Sequence, residues 1–394
     1  MNRTSNNTAP RTLRLIFVAA QLVLPLAISS LAQAQDVVIA GLLRPAKLIQ
    51  TPHGNLLVAE VGTVVNNSSR ISIVDKHGNR RTLVDGLPSA INAVNSPTGT
   101  SGLYLQGRTL YVTIGEGNVT LPGPIPRTEI ANPTPASPIF SSVLAVHFSA
   151  SVEKDTTGVT LSLADHDALK AGQRLVRRDA SGKKITIELV ADFPDYTPEP
   201  LPALATNVRH SHPYGLVAND DFLYVVDAGP NSVRKVEIAS GLYKELVGFP
   251  RTPNPGPVGP PLIENVPTSI HWDGDQLIVT LLSGFPFIAG LSQVWQVDPE
   301  TGVTATLIAG LASAIDVIHL SCDSGPPGFL TLEYSLAHLA GGPGRLQFFD
   351  EAINPVTVLS SSLVTPSSMI LERRTGSIIV AELNTNRLIS FVLP

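Results

Sequence analysis

The chain has 394 residues, with 27 Lys or Arg against 32 Asp or Glu and a formal charge of -5. A mildly acidic surface argues against nucleic acid or anionic membranes as partners, since both attract basic proteins. Hydrophobic residues make up 43% of the chain beside 31 Gly and 33 Pro, the composition of many short buried strands joined by tight turns and not of a disordered Pro-rich chain.

Residues 1–34 read as a secretory signal. Arg3, Arg11 and Arg14 form a basic region, Leu15 to Ile28 an apolar core, and Ala32-Gln33-Ala34 a small-residue cleavage site. That core is shorter than the roughly 20 residues of a spanning helix, so no transmembrane span is expected; an uncleaved anchor is the alternative. The mature chain, 35–394, is expected in the periplasm or outside the cell. Cys322 is the one cysteine, so packing must stabilise the exported chain without an internal disulfide, and Cys322 itself is expected to be a small buried hydrophobe.

Three columns of residues then recur. The first opens an apolar strand with Pro-x-x-aliphatic: Pro45 with Leu48, Pro213 with Leu216, Pro267 with Ile270 and Pro366 with Met369. Thr100 with Leu103 and Ala314 with Val317 are degenerate copies. Proline suits the first residue of a strand, which need not donate to the ladder. The second column lies 14 to 19 residues on, where an aliphatic strand ends: Glu60, Ile114, Asp227, Leu281, Glu333 and Glu382. Gly, Asn and Asp turns separate the strands, so each unit is an antiparallel meander and not a βαβ unit. The third column closes each unit: Ala40-Gly41-Leu42, Asp85-Gly86-Leu87, Asp192-Phe193, Gly248-Phe249, Ala309-Gly310-Leu311 and Ser362-Leu363. Its first copy precedes the first unit and the last unit lacks one. Val37 to Ala40 is therefore expected to be the outer strand of the final blade, closing an all-β, six-bladed β-propeller into a ring without open edges.

The interval from Leu87 to Phe193 is about twice a blade. It reads as one blade with insertions at about 117–138 and 152–174, and Asp165 to Lys170 as a short helix; a degenerate seventh blade is the alternative.

On these residues the chain resembles the ScyD/ScyE family, proteins encoded beside scytonemin biosynthesis genes in cyanobacteria and found in other bacteria. The resemblance is carried by His212-Pro213-Tyr214-Gly215-Leu216, by Val226-Asp227-Ala228-Gly229-Pro230-Asn231, and by Val266-Pro267-Thr268-Ser269 with Ser283-Gly284-Phe285-Pro286-Phe287. Leu110 to Gly115 and the Asp316 region also fit. Where the family usually has Asn before Pro-Tyr-Gly-Leu, this chain has His212. The resemblance implies an exported six-bladed propeller akin to NHL-type repeats, and it implies no settled reaction.

In a blade, the start of the first strand and the end of the second share a face. Glu60, Asp227, Glu333 and Glu382 are therefore expected to ring one mouth of the channel, with His210 and His212 near Asp227. The loops Gly117 to Pro138, Pro194 to Ser211, Arg251 to Asn265 and Gly284 to Phe287 should half-cover that mouth. The candidate ligand-binding residues are His210, His212, Tyr214, Asp227, Phe285 and Phe287. Glu60, Asp227, Glu333 and Glu382, with Asn207 or Asn231, are candidate ligands for a hard cation such as Ca²⁺; the alternative is that each acid accepts hydrogen bonds from neighbouring loops. Two residues apart on an extended segment, His210 and His212 place both rings on one side, suiting metal binding, acid–base work or bonds to the loops. His271 and His319 fall at inner-strand positions and are expected to be satisfied core residues. Phe285 and Phe287 form either an aromatic wall for a planar ligand or a plug of the mouth.

No Gly-rich phosphate loop, Gly-x-Ser-x-Gly elbow or paired-cysteine zinc motif is present, which disfavours nucleotide, zinc and nucleic-acid functions. The expected function is an exported, monomeric, noncatalytic propeller that binds a small molecule or an extracytoplasmic protein on its lidded face. The alternative is a metal-dependent, lactonase-like hydrolase using the strand-end acids.

Overall fold

Strands this short and apolar cannot bury themselves singly, and with almost no helix to cover them they must stack sheet against sheet. The computed structural model describes residues 36–321 and 327–392, and shows six antiparallel sheets doing so. The signal-like segment and Cys322 lie outside the described residues. Each sheet follows chain order from the channel outward. Blade one holds Pro45–Gln50, Leu56–Glu60, Ser69–Val74 and Arg80–Leu87; blade two holds Thr100–Gln106, Thr109–Ile114, Ser142–Phe148 and Lys184–Asp192. Blade three holds Pro213–Ala218, Phe222–Asp227, Ser232–Glu237 and Tyr243–Gly248; blade four, Asn265–Asp273, Gln276–Ser283, Ser292–Val297 and Thr304–Leu311. Blade five holds Ala314–Leu320, Gly328–Glu333, Gly344–Asp350 and Pro355–Leu363. Blade six takes Pro366–Leu371, Ile378–Glu382 and Arg387–Phe391, and Asp36–Ala40 from the other end of the chain is its outer strand.

The first two sequence columns meet across every blade. Pro45 faces Glu60, Thr100 faces Ile114, Pro213 faces Asp227, Pro267 faces Leu281, Ala314 faces Glu333 and Pro366 faces Glu382, each beside a register shift that bends the inner strand at its entry. The third column supplies plugs between blades: Leu42, Leu87, Phe193, Phe249, Leu311 and Leu363 are all buried. Packing runs around the whole ring and is heaviest between blades one and two. Six apolar clusters sit one at each junction, for example Val226 and Val233 of blade three against Leu277 and Val279 of blade four. Second strands are covered on both faces, so Leu56–Glu60 is buried throughout and reads as a continuous apolar run without alternation.

The long interval is one blade, as expected, with two insertions. The first carries a hairpin, Thr120–Pro122 with Glu129–Ala131. The second carries helices Ala150–Asp155 and Leu163–Lys170, the latter held by a capping box between Ser162 and Asp165. Between them Val159–Thr160 runs parallel to the outer strand of blade one, and Leu175–Arg178 adds a fifth strand to blade two. Gly86 permits this crossing: its φ is +70°, and a Cβ there would lie 2.2 Å from the Leu161 carbonyl oxygen. No sheet for a seventh blade occurs among the described residues.

His166 fixes the second inserted helix from below. Its Nε2–H donates to the Gly86 carbonyl at 2.9 Å and its Nδ1 lies 3.0 Å from the Ser137 hydroxyl, in a fully buried site. Burial pulls its pKa below the ordinary 6.5, against the Gly86 bond and Asp165, which favour the cation. The unfolded chain therefore binds this proton more readily, and the stabilisation is complete above about 6.5 and declines as pH falls through the window beneath. Urea midpoints should drop between pH 7 and 5, and His166→Gln should flatten that slope.

Ring closure makes a second prediction. The closing strand pairs Asp36 with Ser390, Val37 with Ile389, Ile39 with Leu388 and Ala40 with Arg387. Its side chains are less buried than full closure would suggest, Val37 being 54% exposed and Val38 and Ile39 half-buried, so the ladder and the cover over Leu388 carry most of its contribution. Deleting Asp36–Gly41 should cost about 5 kcal/mol, a large share of the 5–15 kcal/mol of a typical domain, and expose an edge that aggregates. A soluble truncation melting within a few degrees of the intact chain would contradict this.

Candidate functional site

Four strand-end acids occupy equivalent places, and the structure turns each into a clamp within its own blade. Glu60 receives both Arg70 nitrogens, at 2.9 and 2.8 Å, together with the Ser72 hydroxyl and the Leu43 backbone N–H. Asp227 takes Arg234 at 2.7 Å and the His212 backbone N–H at 2.6 Å. Glu333 pairs with Arg345 and with the Ala312 N–H, and Glu382 takes Arg387 and the Val364 N–H, both at 2.7 Å. All four side chains are fully buried. Their oxygens are occupied by donors from the third strand and from the linker entering the first strand, so they do not converge on a shared cation. The Ca²⁺ set expected from Glu60, Asp227, Glu333 and Glu382 gives way to the alternative of structural hydrogen-bond acceptors. Asn207 likewise bonds the lid backbone, at Glu129 N and Glu199 O.

The loops over this mouth interlock. Arg127 lies 3.9 Å above the Phe285 ring, joining the first insertion to the Gly284 to Phe287 segment. Arg209 binds Glu264 at 2.8 Å, Arg251 binds the same carboxylate at 2.9 Å, and Glu199 stands 3.5 Å from Arg209. Phe287 stacks on His338 with centroids 4.0 Å apart, and its ring stands edge-on to Phe285. Beneath the lid, Arg127, Glu129, Asn207, Arg209, His210 and Glu264 line a polar pocket of about 290 Å³.

His210 and His212 meet a third residue at one wall of that pocket. His210 ends the short strand Val208–His210, paired through Tyr196, and the clamp at Asp227 fixes the backbone of His212. Both rings then face Glu116, which follows the second strand of blade two. Glu116 Oε2 lies 2.6 Å from His210 Nε2 and 3.3 Å from His212 Nδ1, and the three donor atoms fall within 4.8 Å of one another. Asn92 holds the other Glu116 oxygen, and His210 Nδ1 donates to Glu129 at 2.8 Å. Burial pushes the Glu116 carboxyl up, but the His210 and His212 charges outweigh it and hold it well below its ordinary range. His210 goes the opposite way: burial disfavours its cation, yet Glu116 and Glu129 raise its pKa well above 6.5.

Tyr214 sits beside His212, with ring centroids 5.6 Å apart, and burial raises its phenol above the ordinary 10. Of the six expected ligand-binding residues, His210, His212 and Tyr214 are neighbours, Phe285 and Phe287 belong to the lid, and Asp227 supports His212 from behind.

The residues that sequence reasoning missed are Glu116, Glu129 and Arg127 at the lid, and Lys47 and Asp316 inside the channel. Glu116 had a signal: blade two carries Ile114 where four other blades carry an acid, and its acid comes two residues later. The larger cavity, about 600 Å³, occupies the channel half away from the lid and is lined by all six inner strands. At its inner end the buried Asp316 binds Lys47 at 3.0 Å and His271 at 2.7 Å. Burial works against the Asp316 anion, and its contacts with Lys47 and His271 overcome this and hold its carboxyl well below the ordinary range. His271 and His319 are thus half-buried channel residues, and not core residues as expected, because inner strands face the cavity on one side.

Fold and site together define a six-bladed β-propeller with one lidded mouth. No protein-family model matches the sequence, and no curated protein does. Among solved structures, the chain is similar to a glucose dehydrogenase-type oxidoreductase from Thermus thermophilus, at 12% identity and a TM-score of 0.51 over 91% of this chain and 100% of that one. An aldose sugar dehydrogenase from Streptomyces coelicolor, in its PQQ-bound form, aligns over 91% and 97% at 13% identity and a TM-score of 0.49. A calcium-binding regucalcin from Agrobacterium tumefaciens aligns over 92% and 94% at 9% identity and a TM-score of 0.48. At such identities the first establishes a shared fold alone, and the other two carry no argument about activity.

The clamps yield a prediction of their own. Asp227→Asn leaves the Arg234 guanidinium buried without its counter-charge, which should cost about 3–5 kcal/mol in urea unfolding. Removing an exposed acid such as Glu245 should change stability by no more than about 1 kcal/mol.

Proposed function

We propose that this chain is an exported propeller of the ScyD/ScyE type, monomeric, that binds a small molecule at its lidded mouth without transforming it. The observation that carries the reading is the interlocked lid, in which Arg127, Arg209 and Arg251 tie four loops from different blades around one pocket lined by His210. Such loops on a rigid scaffold are a ligand-binding arrangement, and the pocket is of small-molecule size. The four buried acids that a lactonase-like mechanism would use are held in clamps, which supports binding over hydrolysis by that ring.

One observation favours the second reading, a metal-dependent hydrolase: Glu116, His210 and His212 converge under the same lid. The two readings part in one experiment. Melting curves of the mature protein, taken with a panel of planar phenols, indoles and sugar lactones, should show stabilisation by a ligand class that Arg127→Ala and Phe285→Ala weaken by about tenfold, the size of one lost cation–π contact of 1–2 kcal/mol. Lactone and ester turnover assayed in parallel should stay at background. Turnover abolished by Glu116→Gln with the fold intact would replace the binding reading with the hydrolase.

A further inference from the structure

We propose that Glu116, His210 and His212 form a site for a borderline divalent transition cation of the Zn²⁺ class, with Glu129 and Asn92 as its supporting shell. Three donor atoms lie within 4.8 Å of one another and come from two blades: Glu116 from the end of blade two, and the two histidines from the linker into blade three. Imidazole with a carboxylate is the donor set of Zn²⁺ and its neighbours, whereas Ca²⁺ and Mg²⁺ take oxygen ligands. Three protein ligands leave one position of a tetrahedral ion open to water or a bound ligand.

The geometry goes beyond a chance grouping. Glu116 is 4% exposed, and its Oε2 has no hydrogen-bond partner although two ring nitrogens face it closely. Those contacts lack the alignment of ordinary hydrogen bonds, and an entering ion would part Glu116 from His210 to the roughly 3.3 Å that ligands of a tetrahedral Zn²⁺ keep between them. His210 donates its Nδ1 proton to Glu129 and so turns Nε2 toward the site, the orientation that a carboxylate imposes on a metal-binding histidine. Asn92 fixes the remaining Glu116 oxygen. Gly115 leaves room for the second ring, since a Cβ at that residue would lie 3.0 Å from His212 Nε2. The strand-end acids, in contrast, are matched by arginines, and no cation need be invoked there.

The competing account is an ion triad in which protonated His210 bridges Glu116 and Glu129 and no metal enters. Calorimetry on chelator-treated, untagged mature protein with Zn²⁺, and separately with Ca²⁺, decides between them. The expected result is one saturable Zn²⁺ per chain with a raised melting temperature, and no response to Ca²⁺. His212→Asn should lower Zn²⁺ affinity at least a hundredfold, and Glu129→Gln by about 10–100-fold with the stoichiometry unchanged, as for other supporting-shell losses. Both metal-free variants should melt within a few degrees of the parent. Absence of saturable Zn²⁺ uptake, uptake indifferent to both variants, or stoichiometric Ca²⁺ binding in its place would each overturn the site. The titration contains no organic ligand, so its failure leaves the lidded-mouth reading to its own test.

Discussion

The structure depends on a buried carboxylate at the end of a second strand. In blades one, three, five and six this group grips an arginine of the third strand and a backbone N–H of the linker that has just arrived from the previous blade. One side chain thus fixes the turn within a blade and the passage between blades. Burial alone would make such a charge costly, but a guanidinium and a backbone donor together satisfy it, and the chain gains a defined entry angle for each inner strand. The clamp is missing from blades two and four, where Ile114 and Leu281 stand instead. Those two blades border two of the lid loops, Gly117 to Pro138 and Arg251 to Asn265.

Around these clamps the ring is held by six apolar junctions, including the one closed by the N-terminal strand. The junction of blades one and two is the largest, because the scaffold tolerates growth at its outer edges. The second insertion uses that freedom. Its helices and the strand Val159–Thr160 extend the junction between blades one and two through Val152, Val159, Leu161 and Leu169, without touching the channel. The first insertion grows at the lidded end instead, where Arg127 and Glu129 reach across to the loops of later blades.

Charge is distributed differently at the two ends of the channel. On the lidded side, Glu116 and Glu129 surround His210, and Glu199 and Glu264 surround Arg209. At the centre the order is reversed, with one carboxylate, Asp316, between Lys47 and His271. A ligand entering from the lid meets a cluster able to coordinate; one entering the larger cavity from the other end meets Lys47 and His271 around a buried acid. Tyr214 lies between these two environments, close enough to feel the Asp316 charge, and its phenol stays protonated.

Sequence alone determined the blades and their order, because these follow from contacts between residues 14 to 19 apart and from turn residues that permit only tight hairpins, and closure followed from a third column that begins one copy early. Pro45 opposite Glu60 and Pro366 opposite Glu382 were legible as columns for that reason. The pairing of His210 with His212 on one side of an extended segment was legible too, since it is set by the two-residue period of a strand. What those residues do was not. Whether Glu60 coordinates an ion or clamps Arg70 depends on which donors surround it after burial, and whether the histidines are isolated or part of a trio depends on Glu116, 94 residues before His210. That separation is closed only when blade two stacks on blade three. The physical reason is range: hairpin register is a local property written in neighbouring residues, whereas a site is an intersection of loops from different blades, and only tertiary packing decides which side chains share it.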